Sequence, residues 1–130
     1  MIYILLNLVP ILAATVLGLA LGYLHHRIAG GGARTPAWGL IVTTALGEFW
    51  LAAILAGALI LAPPKADPWV MAVGSAVVIW AGFVLPLLAI TLGYRGVPVR
   101  LIARDCAHWL VLMVAQAVLM KSIGLVPPPV

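Results

Sequence analysis

The sequence predicts an all-α integral membrane protein, a four-helix bundle with short loops and with both termini outside. Three observations predict it. Hydrophobic residues make up 65% of the 130-residue chain and charged residues only 8%, whereas soluble domains carry about a quarter charged residues. So short a soluble chain has too little interior to bury that much apolar surface. Finally, four apolar runs each reach the ~20 residues that cross a bilayer core. They cover about 2–24, 37–62, 69–94 and 101–124, within one domain over 1–130. A β-barrel would need shorter, alternating segments.

The first run opens on Met1-Ile2-Tyr3-Ile4, without the positive region of a secretory signal, and is expected to stay as a span. Gly30-Gly31-Gly32 stops it. The second run follows Thr35-Pro36 and the third follows Asp67-Pro68. In each pair a capping side chain precedes a proline suited to the first helical position, where an amide donor is not needed. Pro63-Pro64 ends the second run, Pro98 introduces the fourth and Gly124 ends it, with Lys121 offsetting the helix dipole in its last turn. Within the third, Gly82 and Pro86 predict a kink, because proline removes one backbone hydrogen bond and its carbonyl partner needs another.

Charge placement sets the orientation. Arg27 and Arg34 lie after the first run, and Arg95, Arg100 and Arg104 after the third, against only Lys65 and Lys121 on the opposite side. The excess of positive residues places loops one and three in the cytoplasm. Tyr3, Tyr23, Trp38, Trp69 and Tyr94 then fall near the two interfaces as an aromatic belt. The net charge of +4 is scattered through loops beside apolar runs, which suits lipid headgroups and not nucleic acid. Cys106 is the only cysteine, so it forms no internal disulfide and reads as a small apolar residue.

Small residues recur every four positions. Ala14, Gly18 and Gly22 form a stripe on the first helix, and Ala53 with Gly57 a shorter one on the second. Such stripes let backbones approach closely in lipid, within the chain or between copies. Gly82 and Pro86 are expected to shape packing of the third helix. No internal repeat of the inverted-transporter kind is evident.

The polar residues inside the runs carry the functional expectations. Glu48 lies about eleven residues into the second helix, ~16 Å deep at 1.5 Å per residue and near the bilayer centre. A charge there costs at least ~2.5–3.5 kcal/mol, so the carboxyl is protonated, paired or turned to a wet cavity. By the same arithmetic His108 lies ~10 Å and Gln116 ~22 Å along the fourth helix from the same side, with Thr44 level with His108. Thr44, Glu48, His108 and Gln116 therefore form an intramembrane polar cluster if helices two and four touch. Asp105 and His108 share a face at i, i+3. With Arg104, Asp105 marks the cytoplasmic rim. His25-His26 is expected to be a solvated loop start. A metal site needs three or four ligands, and none is predicted. No nucleophile elbow, phosphate loop or paired-carboxylate spacing occurs, so no catalytic residue and no enzyme is expected.

Part of the second half is familiar. Trp80-Ala81-Gly82-Phe83-Val84-Leu85-Pro86, Tyr94-Arg95-Gly96-Val97-Pro98, and Asp105 with His108-Trp109-Leu110 resemble a bacterial four-helix membrane family catalogued as domain of unknown function 1761. The likeness covers roughly 77–122. It implies four helices and, with the loop charges, a multi-pass protein of a bacterial inner membrane; it implies no activity.

Three functions follow as expectations. The first is a non-enzymatic scaffold or accessory subunit that assembles with itself or a larger membrane complex in the bilayer. The alternative is a small oligomeric proton- or cation-coupled channel or transporter, with copies of Glu48 lining a shared path. The third is a pigment- or haem-binding subunit with haem or chlorophyll at His108; the first two need no cofactor.

Overall fold

The computed structural model describes residues 1–29 and 36–129, so the expectations for Gly30-Gly31-Gly32, Arg34 and Thr35 lie outside the described residues. Those described form helices and no strands. Four helical spans are long and apolar enough to cross a membrane: Leu8–Ile28, Trp38–Leu61, Pro68–Tyr94 and Val99–Ile123.

The first span departs from one continuous helix. A short α1 (Ile2–Leu6) is divided from α2 (Leu8–Ile28) at Asn7, which leaves helical geometry at φ −116°, ψ 27°. Asparagine competes with the backbone for hydrogen bonds, and here its amide donates to the Tyr3 carbonyl at 2.8 Å and to that of Val126 at 2.8 Å. Its Oδ1 accepts from the Val126 N–H at 2.6 Å. The helix then runs four residues beyond its expected end. His25 and His26 therefore belong to its last turn and not to a loop, in a position where basic groups face the negative end of the dipole.

α3 (Trp38–Leu61) starts after an extended Ala37, which is its N-cap. Pro36 thus precedes the cap and does not occupy the first helical position. The helix stops at Ala62, whose extended backbone is the conformation that a following proline imposes. α4 (Pro68–Ile79) begins as expected: Asp67 Oδ1 accepts from the Trp69 N–H at 2.9 Å, and Pro68 takes the first turn.

The third span continues through one π-helical segment, Trp80–Val84, into α5 (Leu85–Tyr94). The widened turn lies just upstream of Pro86, with the Leu85 N–H reaching back to the Trp80 carbonyl. Insertion of a π turn accommodates a ring that would clash with the carbonyl four residues back. Gly82 lies exposed in this segment, and a Cβ there would touch nothing. Within this chain it packs against no described residue; the shape comes from the π turn and the half-buried Pro86. Past the end of α5, Gly96 at φ +74° closes it, with Gly96 N–H on the Gly93 carbonyl and Val97 N–H on that of Leu92, both 3.0 Å. This paired arrangement closes a helix around a left-handed glycine. α6 (Val99–Ile123) follows with Pro98 as its N-cap, one position earlier than a proline at the first helical residue.

α2 lies against both α3 and α6, while α6 also carries both halves of the third span. The core is built of Ile11, Leu55, Leu112, Met113 and Met120 between alanines, including Ala14, Ala52 and Ala56. Alanine keeps the axes close, so that dispersion contacts replace the hydrophobic force that lipid does not provide. Trp80 Nε1 donates to the Cys106 carbonyl at 2.8 Å, tying the third span to α6, and Cys106 is buried. Tyr23, Trp38, Trp69 and Tyr94 are exposed near the helix ends. Tyr3 is not: its hydroxyl donates to the Ala53 carbonyl at 3.0 Å inside the bundle, in space that Gly57 leaves open.

The Asn7–Val126 bonds place both ends of the chain at one end of the bundle, the terminal end. His25, Arg27, Arg95, Arg100 and Arg104 gather at the other, the basic end.

Candidate functional site

Three spans meet at Glu48. The residue is 3% exposed and Gln116 fully buried. Gln116 Nε2 donates to the Ala14 carbonyl at 3.0 Å and to Glu48 Oε2 at 3.2 Å. Helices two and four of the sequence therefore do touch here, with the first wedged against both. Gly18 makes the meeting sterically feasible. A Cβ on it would stand 2.7 Å from Gln116 Nε2 and 2.8 Å from Glu48 Cδ, closer than real side-chain contacts. The small-residue stripe thus has a specific use: it admits a carboxyl and an amide against the helix backbone.

The hydrogen-bond directions are determined. A backbone carbonyl only accepts, so the Gln116 amide turns its NH2 toward Ala14. The same NH2 faces Glu48, which makes Oε2 an accepting oxygen. A proton on Glu48 accordingly rides on Oε1. That oxygen has no hydrogen-bond partner among the described residues. Gln116 Oε1 is buried and likewise unpartnered, and a buried acceptor without a donor costs about 1–3 kcal/mol. With the carboxyl ionised, the pair presents two free acceptors and no free donor.

Glu48 also borders a cavity of about 550 Å³ that reaches the basic end. Near its mouth the His25 and His108 rings stack, centroids 4.0 Å apart and planes 13° from parallel. His25 Nε2 lies 3.3 Å from Asp105 Oδ1, and Arg104 Nε lies 3.7 Å from the same oxygen. Asp105 therefore orients an imidazole on the neighbouring helix, His25, and not His108 one turn ahead on its own. His108 contacts Trp109 edge-on at 5.5 Å.

The expected polar cluster is thus divided. Glu48 and Gln116 bond in the core. His108 stands apart, stacked on His25 in the wall of the same cavity. Thr44 is exposed and gives its hydroxyl to the Leu40 carbonyl at 2.7 Å, so it lines the cavity without joining the carboxyl. Ala14 and Gly18 pack inside the bundle, whereas within this chain Gly22 packs against nothing: a Cβ there would meet no described atom within 4 Å. Within one chain Glu48 is enclosed by its own helices apart from the cavity it borders.

Sequence reasoning overlooked His25 and Asn7. Depth arithmetic would have found the first, because the end of the first helix is level with the start of the fourth. No group of three His, Cys, Asp or Glu side chains is placed to hold a metal ion among the described residues.

Comparison with protein-family models, with curated proteins and with solved structures found no match in any of the three.

Proposed function

We propose that the chain is a non-enzymatic transport protein of a bacterial inner membrane, coupled to protons or small cations through Glu48 and open on its basic, cytoplasmic side. The observation that carries this reading is the position of Glu48: a carboxyl near the middle of the bundle that borders a cavity reaching its basic end. Ionisable residues inside a membrane are costly and line ion pathways or proton relays when retained. Self-assembly as a scaffold loses its main motive, because Gly18 is occupied by the Glu48–Gln116 pair and Gly57 by Tyr3. A tetrapyrrole at His108 gains no support beyond the imidazole itself.

The test is flux. In proteoliposomes the wild-type protein is expected to carry a pH-dependent proton or cation flux that Glu48→Gln reduces at least tenfold, while the bundle keeps its fold because glutamine preserves the side chain's shape. Flux equal in wild type and E48Q would contradict the reading.

A further inference from the structure

Among the described residues, the cavity above Glu48 adjoins a second hollow. That hollow, of about 520 Å³, runs between α2 and α3, lined mainly by apolar Leu19, Leu40, Ile41 and Pro36. The two hollows share Gly22, His26 and Thr44. That common wall is low. Gly22 has no side chain and open space where one would stand, and the Thr44 hydroxyl is turned to its own helix. Leu40 is 58% exposed, so the apolar hollow faces the acyl region of the bilayer near the basic end. An apolar groove thus adjoins a polar chamber through a glycine.

The chemistry of the chamber specifies what fits. Its deep end is Glu48, whose Oε1 has no hydrogen-bond partner among the described residues and accepts when the carboxyl is ionised. The basic side chains lie toward the mouth, where Arg104 and His25 both approach Asp105, and His26 is exposed. An ammonium carries three donors and no acceptor, the complement of that deep end.

We propose that groove and chamber form one two-part site for an amphipathic amine entering from the cytoplasmic leaflet, its apolar portion between α2 and α3 and its ammonium directed past Gly22 toward Glu48. This assignment rests on the reading of Glu48 as the coupling group. Gly22 is the positioning residue: it keeps the passage between the two parts open.

Binding of a dansylated alkylammonium to the full-length protein in lipid nanodiscs tests it, with the neutral alcohol and the carboxylate carrying the same tail as controls. The ammonium is expected to bind at least tenfold tighter than either. Gly22→Leu, which fills the passage, and Glu48→Gln are each expected to weaken it at least tenfold. Leu40→Trp, a change at an exposed groove position, is expected to weaken the ammonium and the alcohol alike, and so checks the groove if G22L does not fold. Tighter binding of the carboxylate, or binding unaffected by both G22L and L40W, would overturn the proposal. Should Glu48-dependent flux persist without ammonium binding, this assignment fails and the coupling role stands; should E48Q change neither, both fail.

Discussion

Gly18 and Gly22 lie one helical turn apart and look equivalent in the sequence, yet their surroundings are opposite. A methyl group on Gly18 enters the space of the Glu48 carboxyl and the Gln116 amide. Both partners are held from other helices, so neither moves aside freely. Gly18→Ala is expected to destabilise the protein by about 1–3 kcal/mol, the range for overpacking a filled core. Gly22→Ala meets open space and is expected to be neutral or stabilising by up to ~1 kcal/mol, because alanine loses less conformational entropy in a helix. Thermal unfolding of the two variants in the same detergent checks the pair; equal losses would contradict the assignment. The depth of Glu48 and Gln116 was legible, because 1.5 Å per residue is a property of any helix. The choice of Gly18 over Gly22 was not, since both share one spacing and only the neighbouring helices separate them.

At the level of elements, the most local signals were the most readable. Asp67-Pro68 and Gly124 act through the backbone of their own turn, and the structure uses them at those positions. Pro86 announced a disturbance but not its form, because a kink and a π turn both relieve the same clash. The break at Asn7 was illegible for a different reason: its partner, Val126, is 119 residues away. The two bonds between the Asn7 amide and the Val126 backbone hold the segment after Gly124 against the terminal end. Asn7→Ala removes both. The Val126 amide is then expected to exchange with solvent roughly tenfold faster or more, in keeping with about 1–3 kcal/mol for groups that lose a partner. Amides in the middle of α6 are expected to keep their protection. Hydrogen exchange resolved along the chain measures this, and unchanged protection at Val126 would refute the clamp.

Across the whole molecule the two ends differ. At the terminal end a hollow of about 440 Å³ between Ile60, Met71 and Lys121 does not reach Glu48, and Ile11, Leu55 and Met120 pack in the core, whereas the hollow at the basic end extends down to Glu48. An asymmetric bundle of this kind exposes a buried carboxyl to one compartment, which is what a coupling site needs in any single conformation. The central claim is therefore that Glu48, although almost wholly enclosed, exchanges protons through its free oxygen. Infrared difference spectroscopy of the purified protein in lipid measures it directly. The account predicts a carboxyl signal that responds reversibly to pH and to D2O in the folded protein and is absent from E48Q. A wild-type spectrum with no such response, indistinguishable from that of E48Q, would show Glu48 locked in the bundle and contradict the account.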